Sequence, residues 1–327
     1  MGPMTASGEL SDPSPAPARP APGLVAIGNF DGVHLGHRHV LTRAAERAAE
    51  QGLTLKVLTF DPHPRQVITG ETIFVLTRTA RKIKLLNQLG LGLEVVVLPF
   101  TSQTALLSPQ QFCKQVLQEQ LSAQLVVVGQ NFRFGKGRAG DLEALSRIGA
   151  TLGMTATAES LHGDAQGTYS STRVRDALAE GNLSEASAVL GRPHLIAGRV
   201  TLGDQRGRSL GFPTANLSGH QEVLPKDGVY AGFVYDLSAG GQFLGRGAFN
   251  IGARPTVGRP HAVEVHVLDF QGDLYGRELG IELVANVRDV KKFDDVSALC
   301  RQIALDIKAT RDLLAACTPR AVAPGYG

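Results

Sequence analysis

A chain of 327 residues, 43% of them hydrophobic, has the length for two domains of ordinary size and enough apolar side chains for a core in each. Its formal net charge is only +3, with basic and acidic residues interspersed, and no run reaches the ~18 apolar residues of a membrane span, so neither nucleic acid nor a membrane is an expected partner. Cys113, Cys300 and Cys317 stand far apart without metal or redox spacing, as suits a reduced, cytoplasmic location.

Residues 1–22 are rich in Pro, Ala and Ser and lack the basic start and apolar centre of a signal peptide; they are expected to form a disordered leader. From residue 23 apolar strands alternate with helical spacing. Strands are predicted at 24–30, 53–60, 93–100 and 125–132, and helices at 37–51, 78–89, 108–121 and 142–148. This alternation predicts an α/β domain over 23–191 with a doubly wound parallel sheet. LVVVG and EVVVL read as strands buried on both faces.

After Gly191-Arg192-Pro193 the pattern changes to successive strands at 195–202, 229–237, 242–251, 262–270 and 281–287, with turn signals between them. They predict a small antiparallel barrel or sandwich over 194–316, with 317–327 as a tail. A closing helix should present Val296, Leu299, Ile303 and Ile307 on one face, behind Asp294 and Asp295 at its start.

GNFDGVHLGH at 28–37 falls between the first strand and the first helix, the place where parallel sheets bind ligands. Its glycines let backbone approach a ligand, and a helix starting at His37 would turn free N–H groups toward phosphate. His34 and His37 could donate hydrogen bonds to a phosphate gaining charge in a transition state. An HxxH pair could also bind metal, but no third ligand lies nearby in sequence. Further on, Tyr169–Arg175 (YSSTRVR) offers Ser171, Thr172 and Arg175 at a second helix start, although Ser and Thr are also ordinary helix caps. Gly135-Lys136-Gly137-Arg138-Ala139-Gly140 matches the dinucleotide-binding GxGxxG. It follows the fourth strand rather than the first, with NFRF intervening, so an oxidoreductase is disfavoured.

In the C-terminal half, a glycine-rich stretch, 198–211, leads into FPTAN, followed by GVYAG, FNIGARPT, VEVHVLDF and DLYG. Together with GxHxGH at 32–37, TFDPHP at 59–64 and GQNFRFG at 129–135, these motifs give the chain a resemblance, over about residues 24–316, to the bacterial bifunctional riboflavin kinase/FAD synthetases. GxHxGH itself is the signature of the nucleotidyltransferase superfamily. The resemblance implies phosphorylation of riboflavin to FMN by the C-terminal domain, a six-stranded antiparallel barrel. It implies AMP transfer from ATP to FMN, giving FAD and pyrophosphate, by the N-terminal domain.

The residues expected to act follow from those motifs. His34, His37 and Glu264 match catalytic positions. Gly28, Asn29, Phe30, Asp31, Gly32, Ser171, Thr172 and Arg175 are expected around the ATP of adenylylation, and Asp61, Pro62, Asn131 and Arg133 around flavin or its phosphate. Many relatives carry Asp where this chain has Asn131. Gly203, Gly207, Arg208, Gly211, Pro213, Thr214 and Asn216 match the ATP site of the kinase, where Thr214 and Asn216 are oxygen donors suited to Mg²⁺. Glu264 shares a strand face with His266, opposite Val263, Val265 and Val267, where a carboxylate could accept riboflavin's proton. A single-activity nucleotidyltransferase and a non-catalytic flavin carrier are the competing readings; PTAN with Glu264 argues against the first and the intact histidines against the second. The expected partners are riboflavin, FMN and ATP, with weak homo-oligomer formation left open.

Overall fold

A computed structural model describes residues 20–160, 162–202, 211–252 and 262–320. Most of the leader, Gly203, Gly207, Arg208, part of FNIGARPT and the end of the tail lie outside the described residues.

Five strands, β1 (Gly23–Ile27), β2 (Thr54–Asp61), β3 (Glu94–Pro99), β4 (Ala123–Gly129) and β5 (Thr155–Glu159), pair in parallel in the order β3-β2-β1-β4-β5. The central strand β1, GLVAI, is buried at every position, as a continuous apolar run requires in a sheet covered on both faces. Helices α1 (Leu35–Glu50), α2 (Pro64–Thr69), α3 (Thr79–Asn87) and α4 (Ser102–Leu106) follow in order. The short α5 (Pro109–Gln111) runs into a π-helical segment (Phe112–Gln120), and α6 (Leu142–Thr151) comes after β4. Leu41 and Ala44 of α1 and Leu86 of α3 pack on one face of the sheet; Val116, Leu117 and Leu145 pack on the other.

The strand order reverses between β1 and β4, and the crevice beyond their carboxyl ends is where such sheets take ligands. The 28–37 stretch leaves β1 at that edge. A two-stranded hairpin, β6 (Gly163–Asp164) and β7 (Gly167–Thr168), then leads to α7 (Ser171–Glu180) and α8 (Leu183–Leu190).

The second half is a closed antiparallel barrel. Its strands are β8 (His194–Thr201), β9 (Ala215–Ser218), β10 (Gly228–Asp236), β11 (Gln242–Gly252), β12 (Ala262–Val267) and β13 (Glu278–Asp289), in the order β10-β11-β12-β9-β8-β13. β12 shows why the barrel forms: Val263, Val265 and Val267 are buried while Glu264 and His266 are only half-buried. Helix α9 (Val296–Leu313) closes the chain, capped by Asp295, which accepts from Ala298 N–H at 2.7 Å. The two halves share apolar packing. Leu76 and, from α7 and α8, Val174, Leu178 and Leu190 join one buried cluster with Ile196, Phe249 and Val263 of the barrel.

Four expectations need correction. EVVVL of β3 is half-buried rather than buried on both faces, because β3 lies at the edge of the sheet. The first helix starts at Leu35 rather than His37, because His34 caps it. The helix expected over 108–121 is not continuous α-helix but changes to π-helical pairing at Phe112. Val296 is exposed rather than part of the packed face of α9, at whose first position it stands.

Candidate active sites

The N-terminal site is built around the cap of α1. His34 Nδ1 accepts from the His37 N–H at 3.3 Å, so the neutral ring carries its proton on Nε2 and can donate outward. The two imidazoles stack with centroids 3.6 Å apart. Burial, and then Arg192, pulls the His34 pKa down to about 4. Burial also holds His37 well below 6.5, helped by His34, Lys82 and Arg192. Both rings are therefore neutral donors at pH 7, beside the positive end of a 16-residue helix.

Backbone geometry fixes this arrangement. Phe30 and Val33 hold φ values of 47° and 42°, a left-handed region that non-glycine residues adopt only when held there. Arg192 holds them from below, donating to Gly32 O and to Val33 O. The Phe30 ring meets His37 edge-on at 5.2 Å. A Cβ at Gly36 would lie 2.7 Å from Tyr169 O, so glycine there lets the starts of α1 and α7 touch. The two motifs, far apart in sequence, are thereby brought to one site, and Ser171 Oγ donates to Asp31 O at 2.9 Å.

Asp31 and Arg175 face each other. Arg175 Nη2 donates to Asp31 Oδ2 at 2.6 Å, and its Nη1 to Phe74 O at 2.9 Å. The other carboxylate oxygen accepts from Leu76 N–H at 2.8 Å and Thr77 N–H at 3.1 Å. This pair braces residues 74–77, one wall of a cleft of about 460 Å³ that Phe60, Asp61, Pro62 and His63 also line. Asn29 Nδ2 lies 3.2 Å from His63 Nε2, and Thr79 Oγ1 donates to Asp61 Oδ1 at 2.7 Å.

Lys82 belongs to this cleft although nothing in RKIK marks it. It is 6% exposed and donates from Nζ to Thr59 Oγ1 at 3.2 Å; burial lowers its pKa against the pull of Asp31 and Asp61. A cation held there beside His37 suits a polyphosphate.

Other expected residues stand apart. Thr172 lines a separate polar cleft with Ser170, Arg173 and Glu185. Asn131 is exposed in the turn after β4, on the carboxyl edge of the sheet. Arg133 pairs with Asp141 at 2.9 Å, both exposed, while Asp141 caps α6. The GxGxxG stretch makes one 3₁₀ turn at Lys136–Arg138 whose ends are bridged by Phe134 and Gly140, which closes it off before the Asp141 cap of α6.

In the barrel, Glu264 on β12 lies opposite Asn216 of β9 on one side and Asn250 of β11 on the other. Asn250 Nδ2 donates to Glu264 Oε2 at 3.5 Å. On β9, Asn216 stands between the buried Ala215 and Leu217, opposite Glu264, and Thr214 is the half-buried residue just before the strand. His266 Nδ1 donates to Pro213 O at 2.8 Å, tying the PTAN segment to β12. Thr214 and Pro213 also line a cleft of about 680 Å³ at the barrel mouth, with Phe270 and Tyr275 opposite. Gly211 is exposed at the start of this segment. Among the described residues, no group of three His, Cys, Asp or Glu side chains is gathered to hold a metal.

A family model described as FAD synthetase matches residues 16–173, and one described as riboflavin kinase matches residues 190–314. The bifunctional riboflavin kinase/FMN adenylyltransferase of Escherichia coli (strain K12) is 38% identical over 298 residues, 90% of this chain and 94% of that one. The chain belongs to the bifunctional riboflavin kinase/FMN adenylyltransferase family. The family member of Pseudomonas fluorescens is 40% identical over 298 residues, with the same coverage. The FAD synthetase match spans the histidine pair and the riboflavin kinase match spans PTAN and Glu264. Among solved structures, a Streptococcus pneumoniae protein called a macrolide-efflux protein aligns over 90% of this chain and 95% of its own, with a TM-score of 0.77 and 30% identity. No described helix of this chain is long and apolar enough to cross a membrane.

Proposed function

We propose that the chain, acting in the cytoplasm, phosphorylates riboflavin with ATP to give FMN and then transfers AMP from a second ATP to FMN, giving FAD and pyrophosphate. The observation that supports this best is the presence, in one chain, of a neutral histidine pair at a helix start and a carboxylate opposite Asn216 of the PTAN segment. Residues 23–191 are assigned to adenylylation and 194–316 to phosphorylation.

In the barrel, Glu264 accepts the proton of riboflavin's ribityl hydroxyl as its oxygen attacks the γ-phosphorus of ATP and ADP leaves. The Thr214 hydroxyl and Asn216 amide oxygen are hard donors, a set that fits Mg²⁺ shared with ATP phosphates. The ion, when bound, would neutralise charge on the transferred phosphoryl group.

In the parallel-sheet half, an FMN phosphate oxygen attacks the α-phosphorus of ATP and the α–β bridging bond breaks, so no covalent enzyme intermediate is needed. His34 and His37 donate to the phosphate oxygens that gain charge, and Lys82 adds a fixed cation. Asp31, Arg175 and Ser171 hold the walls in place. Incubation with riboflavin, ATP and Mg²⁺, followed by chromatography of the flavins, tests the reading: FMN and FAD support it, and neither product overturns it.

A further inference from the structure

Residues 219–223 open the connection from β9 to β10 in the barrel, yet they reach the cleft beside Asp31. The Val75 N–H donates to Gln221 O and the Val223 N–H donates to Val75 O, each at 2.9 Å, forming a parallel bridge between Val75 and Glu222. Glu222, 1% exposed, anchors the bridge: its carboxylate meets Arg78 Nε at 3.0 Å and accepts from the Ala197 N–H at 3.3 Å. Arg78 also donates to Gly219 O at 3.1 Å. The segment held in this way, 74–77, is the one that Asp31 and Arg175 brace from the other side.

His220 is thereby set at the cleft. Its ring centroid lies 6.2 Å from that of Phe74 with the planes 24° apart, and both line the cleft with Phe60 and Pro62. Phe74 remains 44% exposed. Near-parallel rings at the rim of a cleft with an aromatic floor form a surface on which a flat ring can stack.

We propose that Phe74 and His220 form an aromatic wall that receives the planar heteroaromatic ring of an adenylylation substrate, so that a barrel residue sets affinity at the other half's site. This rests on the adenylyltransferase reading above. Flavin and adenine share that chemistry, and the wall serves one of them. His220 is a positioning residue, touching neither the histidine pair nor the reacting phosphates.

The test uses the full chain as wild type, His220→Ala and His220→Phe. KM for FMN, KM for ATP and kcat are measured in adenylylation, with riboflavin phosphorylation as the control for folding. Loss of a stacking surface of this kind weakens binding about five-fold or more. His220→Ala is expected to raise one KM by that amount with kcat little changed and phosphorylation intact, and His220→Phe to restore it. A shift in KM for FMN assigns the wall to flavin, and a shift in KM for ATP assigns it to adenine. Both KM values within two-fold of wild type, or His220→Phe as impaired as His220→Ala, overturn the wall. A wild-type chain that makes no FAD overturns the adenylyltransferase reading and this inference with it.

Discussion

The carboxylate of Asp31 and the guanidinium of Arg175 stand 2.6 Å apart across 144 residues of sequence, one in the loop after β1 and the other in α7. Both lie in motifs expected around ATP. Their geometry makes them a clamp on residues 74–77, with each group supplying what the other would lack if buried alone. Asp31→Asn and Arg175→Gln should each lower adenylylation and the denaturation midpoint. Because the two share partners, the double variant should lose less than the sum, with a coupling of about 0.5–3 kcal/mol by chemical denaturation. Additive losses would contradict the clamp.

The histidine pair carries a sharper expectation. Each donor aimed at developing charge is worth ~10²–10³ in rate, so His34→Ala with His37→Ala should abolish FAD formation while FMN accumulates. Removing the His34 cap should also cost about 1 kcal/mol of stability, visible in a thermal melt. A folded double variant that makes FAD normally would return the pair to a purely structural role.

Much of this was legible in the sequence. The runs GLVAI and LVVVG mark buried parallel strands, EVVVL marks a strand that proves to be the half-buried edge β3, and the switch to period-two alternation marks the barrel. Other elements carried no such signal. β5, TATAE, has no apolar run, and β9, ANLS, is four residues at the end of a glycine-rich stretch. At the sites, spacing revealed His34 and His37 but not their partners. Lys82 reads as an ordinary helix-surface lysine and only the fold turns it inward toward Thr59. Arg192 reads as part of a linker, yet it holds Gly32 O and Val33 O some 160 residues away. Contacts of that range leave no local pattern.

Glu264 faces Asn216 and Asn250 on the outer side of the barrel. If it accepts riboflavin's proton, Glu264→Gln keeps the strand and removes the acceptor. FMN formation should fall ~10²–10⁴-fold with riboflavin binding little changed. Adenylylation of supplied FMN should persist. Normal kinase turnover in this variant would show an ordinary strand glutamate.

Stability should depend on pH through His194, whose Nε2 N–H donates to Val223 O at 2.8 Å. Burial holds its pKa at about 3 rather than 6.5, so below pH 6.5 the unfolded chain takes up the proton and the folded one does not. The stability is whole above pH 6.5 and is lost as pH falls toward 3, by about 2 kcal/mol at pH 5 for this one group. His194→Gln keeps a donor without the titration. Its denaturation midpoint should therefore fall less than that of wild type between pH 7 and 5; parallel curves would contradict the assignment.

The most direct measurement of the central claim follows the phosphorus atoms. Riboflavin and Mg²⁺ are incubated with the protein in two parallel reactions, one with γ-labelled and one with α-labelled ATP, and the flavins are separated. The γ label should enter FMN and persist in FAD, and the α label should enter FAD alone. Flavins free of both labels, or FAD labelled only from the γ position, would contradict an enzyme that phosphorylates riboflavin and then adenylylates the product.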